Sequence, residues 1–236
     1  MMSTRPESFP ALLADRRVIV VVRHADDASA EAIARAAAGG GLRAIEITMT
    51  VPGAARLIAR LRTALEADVL VGAGTVLSAQ QLDAVIAAGA QFVVAPGLSR
   101  PVLDGCAAAH VPFLPGTLTP TEVMACSALG LDAVKLFPSD SGGPAHLRAL
   151  RSVFPHVAFV PTGGVTRSNA AGWLAAGAHA LGLAGEFAAA HRDGGEERVI
   201  ALARELRDAC EISNGVRPGG GAPRLGDEDR CATETH

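Results

Sequence analysis

The sequence predicts a single-domain α/β protein in which eight parallel strands and eight helices form a (β/α)8 TIM barrel. Short β-branched runs alternate eight times with alanine-rich helical stretches along the 236-residue chain. The connections are short, and glycine recurs where a helix passes into the next strand. A barrel of this kind typically takes roughly 250 residues and forms one domain. Apolar residues make up 49% of the chain, which is enough for a large buried core.

The predicted strands are mostly apolar and lack the in-and-out alternation of a half-exposed sheet. This pattern is typical of parallel strands that are covered on both faces. The eight predicted strands are Val18–Val22, Ala44–Thr48, Val69–Gly72, Phe92–Ala95, Pro112–Pro115, Ala133–Phe137, Ala158–Pro161 and Ala178–Leu183.

A helical stretch follows each predicted strand, and several of these stretches begin with a residue that caps helices. Ser78, Ser99 and Ser168 are such residues, and Thr119 has Glu122 three positions later, which predicts a capping box. The predicted helices are Ala28–Gly39, Gly53–Leu65, Ala79–Ala88, Arg100–Ala109, Thr121–Ala128, Pro144–Val153, Ser168–Ala176 and Glu196–Cys210.

A weak internal repeat favours barrel closure. Segments beginning at Ala37, Ala87, Ala128 and Ala175 share a helix end, a glycine, a short turn and an apolar strand. Glycine commonly ends helices because it adopts the left-handed conformation easily. Eight such units with right-handed crossovers suggest a closed barrel. A doubly wound open sheet is the alternative, but no G-x-G-x-x-G motif follows the first predicted strand.

The predicted domain organisation is a barrel over residues 17–212 between two terminal segments. Residues 1–16 form an N-terminal segment, and residues 213–236 form a tail rich in glycine, proline and charge. A segment of that composition has too few apolar side chains to form a core, so we expect it to be disordered.

Charge and cysteine content argue against several classes of partner. A formal net charge of −3 gives no basic footprint for nucleic acid or an acidic membrane surface. No apolar run is long enough to span a bilayer, and the first residues lack the apolar centre of a signal peptide. The four cysteines are scattered and the histidines have no metal-ligand spacing. We therefore expect a cytoplasmic protein with no disulfide scaffold, no metal and no cofactor.

The composition isolates one basic residue. Lys135 is the only lysine among 21 lysines and arginines. Arginine can replace lysine in most ion pairs and hydrogen bonds, but its guanidinium stays protonated and cannot form an imine. Lys135 lies within the apolar run Ala133–Phe137, where burial disfavours the ammonium form and favours a nucleophilic amine. A lysine in a structural ion pair is the alternative.

The ends of the other predicted strands supply further candidates, because barrel active sites lie at the carboxyl ends of the strands. Glu46 lies in an equally apolar strand, where burial raises the pKa of a carboxylate and suits it to move protons near neutral pH. An ion pair with a neighbour such as Arg23 is its alternative role. Thr48 and Thr162 close the second and seventh strands and are candidates to bind substrate.

Glycines after the last two strands are candidates to bind an anion. Gly163 and Gly164 precede a predicted helix, and Gly185 follows the eighth strand. Their backbone N–H groups could hold a phosphate at the position that barrels commonly use for this purpose. Tight turns are an equally good explanation of such glycines.

Six segments with these residues occur in an order that resembles the KDPG/KHG aldolase family. That family cleaves 2-keto-3-deoxy-6-phosphogluconate (KDPG) and 4-hydroxy-2-oxoglutarate (KHG), and the resemblance extends from about Arg17 to Cys210. The segments are Ile45–Thr48, Val71–Leu77, Ala95–Leu98, Leu114–Thr117, Val134–Pro138 and Pro161–Val165.

The resemblance implies a class I aldolase that is usually a homotrimer. The implied products are pyruvate with glyceraldehyde 3-phosphate from KDPG, and pyruvate with glyoxylate from KHG. It implies that Lys135 forms the Schiff base and that Glu46 is the proton shuttle. The implied substrate-binding residues are Arg23 at the end of strand one, Thr75 and Pro96 in the pyruvate pocket, Phe137 beside the imine, and Gly163 with Gly164 at the phosphate.

Two departures from the family pattern bear on the substrate. The family carries an arginine for the substrate carboxylate where Thr50 stands, and a phosphate-binding serine where Gly185 aligns. Loss of a bidentate arginine weakens carboxylate binding unless another group replaces it, and Arg23 is the candidate replacement. A galactonate-type or unphosphorylated substrate stays open, as do a phosphosugar epimerase or isomerase and a non-catalytic binding module on the same barrel.

Overall fold

The fold is an α/β arrangement of short parallel strands in a curled sheet with helices around it. The structure is a computed structural model that describes residues 8–215. Its strands are β1 (Val18–Val22), β2 (Ala44–Thr48), β3 (Leu70–Gly74), β4 (Val93–Val94), β5 (Phe113–Leu114), β6 (Gly116–Thr117), β7 (Ala133–Leu136), β8 (Ala158–Pro161) and β9 (Leu181–Leu183).

The helices lie between the strands along the chain, after a short helix at the start. They are α1 (Phe9–Leu12), α2 (Asp27–Gly39), α3 (Ala54–Ala64), α4 (Ala79–Ala87), α5 (Arg100–Ala109), α6 (Pro120–Ala128), α7 (Gly143–Val153), α8 (Ala170–Ala175) and α9 (Gly185–Gly215), with a 3-10 turn at Ser139–Ser141. Within residues 8–215 no helix is long and apolar enough to cross a membrane.

All strand pairs are parallel and fall into two sheets. One sheet has the order β5-β4-β3-β2-β1-β9 and the other has the order β6-β7-β8. An isolated parallel bridge between Thr162 and Gly182 joins the end of β8 to β9. The strand order therefore follows the chain, and the last strand pairs with the first, as β9 does with β1.

The prediction of one unbroken fifth strand over Pro112–Pro115 is wrong, because the strand is interrupted at Pro115. The structure has two short strands, β5 and β6, separated by this proline. Proline has no N–H to donate to a neighbouring strand, so the ladder is interrupted there. Its carbonyl still accepts a hydrogen bond from the Lys135 N–H at 2.8 Å, which ties β7 to this point of the chain.

A helical segment that the sequence did not predict precedes the last predicted helix. α9 runs from Gly185 to Gly215, but Gly194 and Gly195 have non-helical backbone angles and divide it, so its second half begins at the predicted Glu196. Gly195 has a φ of 60°, a conformation that glycine adopts without strain. The helix ends at Gly215, three residues into the predicted tail, and the rest of that tail lies outside the described residues.

Most other boundaries agree with the sequence patterns, and the helix caps explain several of them. The Ser78 side chain accepts a hydrogen bond from the Gln81 N–H. Thr119 and Glu122 form the predicted capping box at the start of α6. Ser99 stands at the predicted cap position of α5 but makes no such hydrogen bond. Ser168 lies in the turn before α8, which begins at Ala170 with Asn169 as its N-cap residue.

The core has two layers because every strand is buried on both faces. Val18, Val20 and Val22 face the helices, whereas Ile19 and Val21 face the space that the sheet encloses. The inner layer also takes Ala44, Leu70, Phe92, Val94, Leu114, Ala133, Val160 and Ala180. Burial on both faces is the reason that the strand sequences show no simple alternation.

Helix α1 closes the amino-terminal end of the inner layer, and the sequence reading assigned no structure to it. Phe9 and Leu13 are buried in the inner cluster, and the Phe9 ring meets the Phe92 ring edge-on at 5.9 Å. A ring nitrogen of His179 lies 2.9 Å from the Pro10 carbonyl oxygen. The opposite end of the inner layer, where the strands finish, lacks such a plug and carries the polar residues.

Candidate active site

Lys135 and Glu46 face each other inside the sheet, just below the carboxyl ends of β7 and β2. Lys135 Nζ lies 4.0 Å from Glu46 Oε1, and only 7% and 2% of the two side chains is exposed. Both residues follow the inward positions of their strands, Ala133 and Ala44, because side chains two apart share a face. The amine and the carboxyl are therefore removed from bulk water and adjacent.

Burial controls the ionisation of Glu46. It raises the pKa of the Glu46 carboxyl above its ordinary range, and the positive charges of Lys135 and Arg23 offset part of this effect. Among the described residues, Oε1 has no hydrogen-bond partner. Buried polar atoms are usually hydrogen-bonded, so this oxygen can receive a proton from a reacting group.

Two glycines leave the space that inward polar side chains occupy. A Cβ on Gly74 would overlap the Glu46 carboxyl, and a Cβ on Gly182 would overlap the Thr162 hydroxyl. Thr162 is buried and forms the bridge to Gly182 at the carboxyl end of β8. The sequence folds this way locally because only a glycine on the neighbouring strand admits the longer side chain.

Phe137 and Gly116 border the lysine. The Phe137 ring is half-buried, with its centroid 5.0 Å from Lys135 Nζ. Gly116 is the partner of Lys135 in the register of β6 and β7. A Cβ on Gly116 would overlap the Pro96 carbonyl, which places the exposed Pro96 beside this part of the site.

Arg23 and Thr75 lie at the rim, where β1 and β3 end. Arg23 Nη2 donates a hydrogen bond to Thr75 Oγ1 at 3.2 Å. Thr75 has a φ of 58°, which is unusual for a β-branched residue and marks a position that its surroundings determine. The exposed guanidinium stands above Glu46, close enough to affect its ionisation.

The Thr48 hydroxyl is already engaged within the protein. It donates to the Val22 carbonyl at 3.0 Å and lies 2.8 Å from Thr50 Oγ1. Thr48 is fully buried, whereas Thr50 is exposed at the rim. The contacts therefore place Thr50, and not Thr48, where a ligand could reach it.

Gly163, Gly164 and Gly185 form what we call the candidate cradle, at the ends of β8 and β9. Gly163 and Gly164 have φ values of 93° and 69°, which glycine alone adopts readily. Gly185 is exposed at the first turn of α9, and a Cβ there would meet no atom within 4 Å. Contacts link Lys135, Glu46, Phe137, Arg23 and Thr75 as one group. The candidate cradle is a second group at the same end of the strands.

Three polar residues that the sequence reading missed shape the candidate cradle. Ser139 is buried, and its hydroxyl donates to the Gly163 carbonyl at 2.5 Å. Asn169 Nδ2 donates to the Gly164 carbonyl at 2.8 Å, and Glu186 Oε2 accepts from the Arg167 N–H at 2.5 Å. A polar residue directly after an apolar strand was the available signal for Ser139.

Metal ligands do not cluster in the described part of the chain. Residues 8–215 contain no group of three or more histidine, cysteine, aspartate or glutamate side chains that could hold a metal ion. The chemistry that this arrangement can perform directly is that of a buried amine next to a buried carboxyl.

A family model and curated proteins of similar sequence are described as aldolases. A family model described as KDPG and KHG aldolase matches residues 10–199. The 2-dehydro-3-deoxy-phosphogluconate aldolase of Treponema pallidum (strain Nichols) is 42% identical over 160 residues, which is 67% of this chain and 76% of that protein. The KHG/KDPG aldolase of Escherichia coli (strain K12) is 35% identical over 184 residues, 76% of this chain and 85% of that protein.

A solved structure is similar over nearly the same region. It is the KDPG aldolase from Legionella pneumophila with pyruvate captured at low pH as a covalent carbinolamine intermediate. It is 30% identical to this chain with a TM-score of 0.75, and the match covers 84% of this chain and 97% of that one.

Proposed function

This chain belongs to the KDPG and KHG aldolase family, and from that premise we propose that it is a class I aldolase acting through Lys135 and Glu46. It cleaves 2-keto-3-deoxy sugar acids of the KDPG type to pyruvate and an aldehyde, which is glyceraldehyde 3-phosphate when the substrate is KDPG. The observation that carries this proposal is the buried amine of Lys135 at 4.0 Å from the buried carboxyl of Glu46.

The reaction begins on the amine. Lys135 Nζ attacks the C2 ketone, and loss of water gives a protonated imine. Glu46 takes the proton of the C4 hydroxyl, directly or through a water molecule, while the C3–C4 bond breaks. The bonding electrons pass into the imine to give an enamine, and the aldehyde leaves. Glu46 then returns a proton to C3, and water hydrolyses the imine to release pyruvate.

The surroundings suit each step. The raised pKa of Glu46 lets one carboxyl act as both base and acid, because general catalysis is most effective when the pKa is near the working pH. The half-buried Phe137 ring beside Nζ shields the imine from water. Arg23 at the rim can bind the substrate carboxylate in place of the family arginine that Thr50 replaces.

The Lys135→Arg variant tests the proposal, because it keeps a positive charge but cannot form an imine. We expect cleavage to fall by about 10³-fold or more. In the wild-type chain, borohydride with pyruvate should leave a covalent adduct on the single peptide that contains Lys135, and in the variant it should leave none. Cleavage that persists in the variant would contradict the imine mechanism. No cleavage by the wild-type chain, together with epimerisation or isomerisation of a phosphosugar that persists in the variant, would favour the alternative that needs no such lysine.

The closed (β/α)8 barrel is a further part of the proposal. Two observations support it: the Thr162–Gly182 bridge connects β8 to β9, and only Pro115 separates β5 from β6. The register then runs around all the strands. An experimental structure with a gap between β5 and β6 wide enough to admit a side chain would contradict closure.

Assembly and location complete the proposal. We propose a homotrimer, as the family resemblance implies, so sedimentation should give three times the chain mass of 24.0 kDa. A monomer in sedimentation would exclude it. We place the enzyme in the reducing cytoplasm, because Cys106 and Cys126 are free thiols, and paired cysteines are typical of oxidising compartments.

A further inference from the structure

The candidate cradle carries two carboxylates on its border. Asp140 lies in the 3-10 turn after β7, and a Cβ on Gly164 would stand 3.4 Å from its Oδ2. Glu186 lies in the first turn of α9, next to Gly185. Both acidic groups therefore border the glycines whose N–H groups would hold a phosphate.

Glu186 occupies a donor that an anion would otherwise use. Its Oε2 accepts a hydrogen bond from the Arg167 N–H at 2.5 Å, in the loop three residues after Gly164. A backbone N–H of this loop that could donate to an anion is therefore already bonded to a carboxylate of the protein itself. The loop is thus held by an internal negative charge.

The side chain of Arg167, whose backbone N–H binds Glu186, forms an ion pair with another carboxylate. Arg167 Nε pairs with Glu205 Oε2 at 3.1 Å, and Arg198 pairs with the same carboxylate at 3.2 Å. Within residues 8–215, neither Asp140 nor Glu186 forms an ion pair. The cradle therefore combines backbone donors with two carboxylates that no arginine neutralises.

We infer that this cradle does not strongly select a phosphate dianion, and that the enzyme cleaves 2-keto-3-deoxy sugar acids ending in a neutral hydroxymethyl group with an efficiency within about thirtyfold of that for their 6-phosphates. This inference rests on the proposed aldolase function and names its substrate range. Like charges placed together oppose binding, whereas a hydroxyl can donate to the same carboxylates. Glu186 is the specificity-determining residue in this arrangement.

The test compares kcat/KM for KDPG with kcat/KM for unphosphorylated 2-keto-3-deoxygluconate, with pyruvate release as the readout. We expect the wild-type preference for the phosphorylated substrate to be below about thirtyfold, because like charges oppose the dianion. Glu186→Gln keeps an amide oxygen to accept from the Arg167 N–H but removes the charge. It should raise that preference about tenfold through a lower KM for KDPG.

Matched variants make the result specific. Glu197→Gln removes an exposed charge from the same helix, beyond the kink and away from the cradle, and should leave the preference unchanged. Asp140→Asn should shift the preference in the same direction as Glu186→Gln, which keeps the test open if Glu186→Gln folds poorly. Inorganic phosphate should likewise inhibit Glu186→Gln more strongly than the wild-type chain.

The outcomes separate this inference from the proposed function. A wild-type preference above about thirtyfold, or a preference that Glu186→Gln and Asp140→Asn both leave within about threefold of wild type, overturns the inference, since like-charge repulsion would then not control selection. The aldolase stands in that case if borohydride with pyruvate still labels Lys135. No cleavage of either substrate together with no label overturns the aldolase proposal itself.

Discussion

The properties of the candidate site depend on one short contact between two buried side chains. Burial alone would keep Glu46 protonated, and the positive charge of Lys135 is the larger of the two charges that oppose this effect. Burial and the two positive charges therefore shift the pKa of this carboxyl in opposite directions, and burial has the larger effect. The separation of 4.0 Å brings the amine and the carboxyl within reach of the same bound substrate.

Removal of the lysine charge should therefore change the ionisation of Glu46. In Lys135→Met, the pKa of Glu46 should rise further above its ordinary value of 4.5, because burial still disfavours the charged form and its main opposing charge is gone. Between 4.5 and the raised pKa the folded chain binds more protons than the unfolded chain, so stability falls as pH rises through that window. A carbon-13 titration of the Glu46 carboxyl measures the shift.

Arg23, whose charge has the smaller effect on the pKa of Glu46, provides the control for this titration. Arg23→Gln should raise the pKa of Glu46 less than Lys135→Met does, because the charge of Arg23 lowers this pKa less than the charge of Lys135 does. A Glu46 carboxyl that titrates at or below 4.5 in Lys135→Met would contradict this account of the site.

The space beside Glu46 gives a second prediction for a single residue. Gly74→Ala places a methyl group where the Glu46 carboxyl lies, so the carboxyl must move away from Lys135. A displacement of about 1 Å at reacting groups can lower activity about 10²-fold, and we expect a loss of that size in pyruvate release. Gly172→Ala is the control, since a Cβ there meets nothing within 4 Å and should leave activity unchanged. Equal activity in both variants would exclude a tight fit around Glu46.

At the scale of elements, strands and helices could be predicted better than the segments that close and join them. The position of Lys135 in a buried strand and of Glu46 in another followed from apolar runs, because burial on both faces leaves a clear signature. The 4.0 Å contact could not be predicted, since sequence patterns do not give the distance between residues on β2 and β7. The roles assigned to the site residues remain predictions.

The elements and contacts that the sequence patterns did not predict have local physical causes. Helix α1 has only four residues, too few to show a periodic pattern, and its stability comes from packing. The helical segment from Gly185 to the kink was not predicted, and Gly194 and Gly195 separate it from the predicted helix that begins at Glu196. Ser139, Asn169 and Glu186 contact residues of other loops, and such contacts leave no regular pattern in the sequence.

Helix α1 should contribute to stability without contributing to catalysis. Phe9 is 3% exposed and packs edge-on against Phe92, at the end of the inner layer opposite to Lys135. Phe9→Ala should lower the free energy of unfolding by about 3 kcal/mol, as is usual for a buried phenylalanine. Urea denaturation measures this change. Ala11→Gly on the same short helix is an exposed control, for which we expect about 1 kcal/mol or less.

Activity per folded molecule should persist in Phe9→Ala. Borohydride with pyruvate should still label Lys135 to the same extent at low temperature, where the variant is folded. Loss of labelling in a folded sample would show that the reactivity of Lys135 depends on the packing of helix α1.

For the molecule as a whole, the hydrophobic core includes residues from both halves of α9. The half after the kink buries Val199, Leu202, Ala203 and Leu206 in the outer core layer. That half packs against α2 and so supports the first βα unit, where Arg23 lies. The fold therefore depends on a segment that is remote from Lys135 in sequence.

Two truncations test where the folding unit ends. A chain ending at Gly215 loses residues 216–236, whose glycine, proline and charge offer few apolar side chains to bury. Its melting temperature and its pyruvate release should equal those of the full chain. A chain ending at Gly195 loses the buried side chains of Val199, Leu202, Ala203, Leu206 and Cys210. It should fail to fold, because each large buried aliphatic side chain contributes roughly 1.5–3 kcal/mol. A drop of several degrees in the Gly215 chain would show that residues 216–236 bind to the body of the protein.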